Sequence, residues 1–238
     1  MKKKIVVTGG SGRFGNILKK IKTQYKILFP KKKELDILNE KKINRYLKRV
    51  KPNILIHLAG LSRPLELHRK NIIKSIDLNI IGTANITKAC SKNNVKLIYF
   101  STSYIYPGKR GNYNEMDAIY PVNFYAWSKL GGESAVQLYS NSLILRACMT
   151  ERPFVHKSAY ANVKSNFEYH DVIAKTLFKI LNKKGIINIG GKSQTIYKFA
   201  KKENKNINKI FLKKNSKSDI PFNSSMNLSK LKKILKKK

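Results

Sequence analysis

Tyr125 and Lys129 stand four residues apart in Tyr125-Ala126-Trp127-Ser128-Lys129. On a helix that spacing puts a phenol and an ammonium on one face, within reach of a shared substrate. A free tyrosine titrates near about 10, too high for ready proton transfer at neutral pH, and a nearby Lys⁺ favours the phenolate and brings it toward a working range. Ordinary helix surfaces also carry such pairs, so the spacing needs a second element. It lies upstream, where the apolar run Ile5-Val6-Val7 passes directly into Thr8-Gly9-Gly10-Ser11-Gly12-Arg13-Phe14-Gly15. A short buried strand ending in a glycine turn that opens a helix is a dinucleotide cradle. Gly9 permits the tight turn, Gly12 lets backbone N–H groups approach a pyrophosphate, and Gly15 lets the helix pack closely on the sheet. Any strand-to-helix turn can carry glycines. Downstream of such a turn, the Tyr–Lys pair reads as a proton-transfer pair beside a bound dinucleotide.

Positioning these groups requires alternating strands and helices. Short apolar runs at Ile5 to Val7, Lys26 to Phe29, Ile54 to Leu58, Lys96 to Ser101, Ser142 to Arg146 and Ile186 to Ile189 predict strands of a parallel sheet. Helices are predicted over Gly15 to Lys22, Glu40 to Val50, Ile72 to Asn93, Phe124 to Ser140 and Asp171 to Asn182, with Asp171 as a cap. The order predicts an α/β fold, a doubly wound parallel sheet of the Rossmann type with a small C-terminal substrate lobe. Residues 1–150 form the expected dinucleotide-binding domain and residues 151–238 the lobe, which can add a strand near 186–189. Leu228 to Lys238, with apolar residues at helical spacing among lysines, reads as a basic surface helix or a docked terminus.

The chain of 238 residues is 42% hydrophobic, enough for one sizeable core without disulfides. Cys90 and Cys148 have no paired or metal-ligand spacing and are expected as buried thiols in a cytoplasmic protein. The start Lys2-Lys3-Lys4-Ile5-Val6-Val7 breaks at the glycines too early for a secretory segment, and no run reaches the roughly 18 apolar residues of a membrane span. Fifty Lys and Arg against 13 Asp and Glu give a net charge of +37, which invites a nucleic-acid reading. The lysines are spread over every predicted helix and loop without a recognition motif, so specific nucleic-acid binding is not expected. The positive field suits an anionic ligand such as a phosphorylated cofactor.

Several landmarks occur in a characteristic order. They are the Thr8 to Gly15 turn, Leu35-Asp36-Ile37, His57-Leu58-Ala59-Gly60, Asn79-Ile80-Ile81-Gly82-Thr83, Ser101-Thr102-Ser103-Tyr104-Ile105-Tyr106, and Asn123 through Glu133. With them the chain resembles the extended short-chain dehydrogenase/reductase superfamily of nucleotide-sugar epimerases, dehydratases and reductases, and within it the dTDP-4-dehydrorhamnose reductases. The strand-end pattern of those reductases is Ser-Thr-Asp-Tyr-Val-Phe, so Ser103 here departs from the aspartate. The resemblance implies an NAD(P)-dependent reductase of a nucleotide-linked 4-keto sugar, serving surface polysaccharide precursor synthesis. It assigns Thr102 the triad hydroxyl beside Tyr125 and Lys129, with Ser103 an open alternative because epimerases of the superfamily often use a serine in this region. A nucleotide-sugar C4 epimerase would use the same three residues. A catalytically silent sugar-nucleotide-binding protein or a redox-sensing regulator is opposed by the intact Tyr125. Glu133, whose equivalent can help bind a metal between subunits, is expected as a structural residue on the solvent face of its helix, with no metal.

By the same resemblance the cofactor meets Gly9, Gly12, Arg13, Phe14, Gly15, Lys31, Asp36, Ile37, Leu58, Ala59 and Gly60 as well as Tyr125 and Lys129. An acidic residue that would select NAD is absent from the end of the second strand, where Pro30-Lys31-Lys32-Lys33 follows, so NADP is expected, with NAD as the alternative. Ser62, Ser103, Arg152 and His156 are expected to meet the sugar-nucleotide, and Pro221 to Leu231 to close over it. His57 is expected to be packed or hydrogen-bonded. A homodimer and a cytoplasmic location complete the expectations.

Overall fold

A computed structural model describes residues 2–213 and 219–236. Six strands form one parallel sheet: β1 (Lys4–Thr8), β2 (Lys26–Leu28), β3 (Ile54–His57), β4 (Lys96–Thr102), β5 (Ser142–Ala147) and β6 (Gly185–Ile189), in the order β6-β5-β4-β3-β1-β2. Every predicted strand is present. Their runs are continuously apolar because both faces of the sheet are covered. Ile5 and Val7 point to one core with Ile56, Ile98, Phe100 and Leu145, while Val6 points to the other with Leu55, Leu97 and Tyr99.

The first core is closed by α1 (Arg13–Lys20), through Phe14 and Leu18, together with Ile173, Leu177 and Ile180 of a later helix. The second is closed by α2 (Glu40–Val50) through Ile43, Tyr46 and Leu47, α3 (Gly82–Lys92) through Ile86, Ala89 and Cys90, and α4 (Phe124–Gln137) through Val136. Caps fix two of these starts: Asn39 accepts from the Lys42 N–H at 2.9 Å and Asn123 from the Ala126 N–H at 2.7 Å.

Three predicted helices differ in detail. The stretch expected as one helix from Ile72 is instead Ile72–Ile76, a wide π turn over Asp77–Ile81, and then α3. The helix expected to be capped by Asp171 is α5 (His170–Ile180); Tyr169 occupies the cap, and Asp171 lies in the first turn facing Arg152 at 3.4 Å. The expected start at Gly15 moves to Arg13, so Gly12 is the cap of α1. The terminal helix α6 (Ser229–Lys236) docks Leu231 into the first core, with Ile234 and Leu235 against it; residues 237 and 238 lie outside the described residues.

The lobe has its own small core of Phe154, Val163, Tyr169, Ile196, Phe199 and Leu212. Short strand pairs tie it together, including Met149–Thr150 with Glu168–Tyr169 and Ser158–Tyr160 with Asn208–Ile210. The chain turns outward from β1 to β2 and then returns to β3 on the other side of β1. That reversal opens a crevice at the carboxyl ends of β1 and β3, where doubly wound sheets bind ligands. No helix among the described residues is long and apolar enough to cross a membrane.

Candidate functional site

The crevice is a cleft of about 1230 Å³ that runs from the glycine turn, past the ends of β3 and β4, to the lobe. Gly9 turns at φ +69°, and a Cβ there would stand 2.6 Å from the Ala59 backbone nitrogen, so the turns after β1 and β3 touch. At Gly12 a Cβ would meet only the Gly9 carbonyl oxygen, at 3.2 Å; its open side belongs to the cleft wall. Gly12 N–H donates to Gly9 O at 2.9 Å, and α1 begins at the next residue with no side-chain cap. Its first-turn N–H donors are therefore available to an anion.

Beneath the turn, His57 Nδ1 and Thr8 Oγ1 are 2.7 Å apart and His57 Nε2 and Thr83 Oγ1 3.1 Å apart. Burial, reinforced by the Lys129 charge, pushes this imidazole down to about 3. His57 is thus a neutral brace between β1, β3 and α3, as expected of a packed histidine.

Thr102 at the end of β4 and Tyr125 in the first turn of α4 line the same cleft, and the Thr102 hydroxyl favours the Tyr125 phenolate. Thr102 Oγ1 also accepts the Tyr104 N–H at 3.2 Å, which fixes its rotamer. Ser103 lines the same cleft, and its hydroxyl acts on the Cys148 thiol, whose pKa it lowers against burial. Burial raises the Tyr125 pKa, opposed by the Thr102 hydroxyl and then by the Arg63 and Arg13 charges. Burial pushes Lys129 itself down to about 7, with Glu133 pulling it up, and its Nζ lies 4.1 Å from the centre of the Tyr99 ring.

Glu133 is not on a solvent face. It is fully buried and receives Arg146 Nη2 at 2.8 Å, while Arg146 Nη1 donates to the Tyr106 hydroxyl at 2.9 Å and Tyr106 donates to Asn188 Oδ1 at 2.8 Å. The network fastens α4 to β5 and β6, and a buried carboxylate of this kind is tolerable only because it is paired.

Of the other expected site residues, Gly9, Gly12, Arg13, Phe14, Gly15, Leu58, Gly60, Ser62 and His156 all line the cleft. Arg152 does not: it pairs with Asp171 and Glu203 and lies over the Tyr169 ring, away from the lining. Lys31, Asp36, Ile37 and Ala59 are also outside the lining. Asp36 Oδ1 accepts the Leu38 N–H at 3.0 Å, Ile37 is buried in the second core, and Lys31 lies exposed with its N–H on Glu34. The Pro221 to Leu231 segment runs beside Gly108 to Tyr113, with its neighbour Ile220 reaching the cleft.

Residues that sequence reasoning missed complete the wall. Arg63 and Lys157 supply cations, and Tyr104, Phe154 and His170 supply rings. Asn79, in the π turn, accepts the Leu61 N–H at 2.7 Å and donates to Leu61 O at 2.9 Å and to Ser128 Oγ at 2.8 Å. It thereby ties the loop carrying Ser62 and Arg63 to the helix carrying Tyr125. A π turn inserts a residue that helical periodicity does not announce.

Fold and cleft define a protein of the doubly wound parallel-sheet class with a crevice at the point where the strand order reverses. The chain belongs to the RmlD substrate binding domain family, whose model matches residues 2–150. It is 29% identical over 152 residues to a dTDP-4-dehydrorhamnose reductase of Aggregatibacter actinomycetemcomitans, a match covering 62% of this chain and 51% of that protein. It is 38% identical over 107 residues to a GDP-L-colitose synthase of Yersinia pseudotuberculosis, covering 44% of this chain and 35% of that one. The chain therefore spans about half the length, or less, of these curated relatives. Among solved structures, the dTDP-4-dehydrorhamnose reductase of Bacillus anthracis in complex with NADP matches with a TM-score of 0.86 and 23% identity, over 98% of this chain and 92% of that one. At that identity the likeness is one of fold.

Proposed function

We propose that the protein reduces the C4 carbonyl of a nucleotide-linked sugar, using NADPH in preference to NADH. The observation that carries this reading is that Thr102, Tyr125 and, one turn further along α4, Lys129 line one cleft with the glycine turn. The names of the reductase relative and of the NADP-bound structure support it.

The open side of Gly12 and the free N–H donors of α1 suit a dinucleotide diphosphate. A bound reduced nicotinamide supplies the hydride. Tyr125 passes its phenolic proton to the C4 oxygen as that oxygen becomes an alcohol, and Thr102 donates a hydrogen bond to the phenolate left behind. Arg63 and Arg13 offset the cost of that buried charge. Lys129 takes the ribose hydroxyls of the cofactor. At the lobe end, Lys157 and His156 beside Phe154 and Tyr160 offer charge and ring surface to the nucleotide of the substrate.

Reduction at C4 needs no further acid or base, whereas epimerisation at C3 or C5 would need groups to remove ring protons. The test is to incubate the protein with NADPH and a panel of nucleotide-linked 4-keto sugars and to identify products by NMR. The reading predicts stoichiometric NADPH consumption and a new C4 hydroxyl. Inversion at C4 of a hydroxylated sugar without net consumption would replace it with an epimerase.

A further inference from the structure

Glu151 has no role in the scheme above, yet charges from two separate segments converge on it. Arg13 of the glycine turn places Nε 3.2 Å from Glu151 Oε1. Arg63, from the loop after β3, donates through Nη1 to Oε1 at 3.3 Å and to Oε2 at 3.2 Å. Thr150 Oγ1 donates to Oε2 at 3.3 Å, and Arg13 Nη2 donates to Ser62 Oγ at 3.0 Å. Arg13, Ser62, Arg63 and Thr150 all line the cleft, and the Glu151 side chain between them is 17% exposed. Burial alone would raise the Glu151 pKa, but a backbone N–H, the two guanidiniums and the His170 charge hold it below the ordinary carboxylate value. It is therefore ionised at neutral pH.

One carboxylate thus answers two guanidiniums at the mouth of a glycine turn. A diphosphate carries at least two negative charges and more acceptor oxygens, and planar guanidinium forks match it better than they match a single shared carboxylate. In a chain of net charge +37, an unanswered arginine pair would also take up any small anion.

We propose that Glu151 is an internal counter-ion that occupies Arg13 and Arg63 in the free protein and is displaced from them by the diphosphate of the ligand. It is a positioning residue: it keeps the two arginines together at the cleft, and it raises the charge an incoming anion must bring to claim them. The proposal rests on the dinucleotide reading of the cleft for the identity of the ligand.

The test is calorimetric binding of inorganic pyrophosphate and, separately, of NADPH at fixed ionic strength, for the wild type, Glu151→Gln, Arg63→Gln and the double variant. Removing a competing, half-buried charge partner is expected to tighten pyrophosphate binding by roughly 3- to 10-fold. In the Arg63→Gln background the same change should give no such gain, a non-additivity that a merely structural role would not produce. If Glu151→Gln does not fold, Glu151→Asp is measured instead, because its shorter carboxylate cannot reach both guanidiniums; it should tighten binding in the same direction. Unchanged or weaker pyrophosphate binding in the variant overturns the proposal. Tighter pyrophosphate binding with no NADPH binding by any form upholds the counter-ion and overturns the dinucleotide reading instead.

Discussion

Thr102 and Tyr125 come from different elements, the end of β4 and the first turn of α4, yet line one cleft, where the hydroxyl of one favours the phenolate of the other. Ser103, the adjacent candidate, acts on Cys148, and Tyr125 feels the Thr102 hydroxyl instead. Thr102→Val should therefore lower kcat by about 10²-fold, the scale of losing a polar partner of the reacting oxygen, while Ser103→Ala changes it by less than about 5-fold. Steady-state kinetics of the two variants decide this; a reversed order would assign the triad hydroxyl to Ser103.

Gly12 and Gly15 separate ligand space from packing space. A Cβ at Gly12 projects into the cleft, whereas one at Gly15 would lie 2.7 Å from the Gly10 Cα. Gly12→Val is expected to weaken dinucleotide binding by at least about 10²-fold with little change in Tm, and Gly15→Val to lower Tm sharply. Cofactor fluorescence titration and thermal unfolding check both. Wild-type affinity in Gly12→Val would give the turn another role.

The sheet and the glycine turn were legible because their signals are local. Ile5, Val6 and Val7 form an unbroken apolar run since each faces one of two covered cores, and the glycines follow immediately. Tyr125 and Lys129 were legible through helical spacing. What escaped was set by contacts distant in sequence. Glu133 reads as a surface charge until β5 brings Arg146 against it. Arg63 and Glu151 meet only when the loop after β3 and the end of β5 lie side by side. Arg152 looked available for a diphosphate because its partner Glu203 is 51 residues away in sequence.

His57 gives the fold an acid-sensitive brace. Its folded pKa is about 3 because of burial, while the unfolded chain takes up the proton near about 6.5. As pH falls from about 6.5 toward about 3, the unfolded state gains a proton that the folded state refuses, so stability declines across that window and is level above it. The loss is of the order of a few kcal/mol. Urea unfolding at a series of pH values should show a flatter acid limb for His57→Gln than for the wild type, and equal slopes would place the effect on another group.

The proposed preference for NADPH assigns its 2′-phosphate to the loop after β2. Lys31 is exposed there, and Lys32 makes only a long pair with Asp36 at 3.9 Å. Both side chains stand exposed among the described residues of this loop. Changing Lys31 and Lys32 to Glu should raise the KM for NADPH by about 10-fold or more relative to NADH, with kcat held within about 2-fold. Equal effects on the two cofactors would show that the phosphate is not read at this loop.

The most direct measurement is single-turnover hydride transfer from NADPH to a nucleotide-linked 4-keto sugar by the wild type and by Tyr125→Phe, with cofactor binding measured on the same samples. Loss of the one hydroxyl that can protonate the C4 oxygen should slow transfer by about 10²-fold or more and leave the NADPH Kd within about 3-fold. Equal transfer rates in the two proteins, or no transfer by the wild type to any such sugar, would contradict the account.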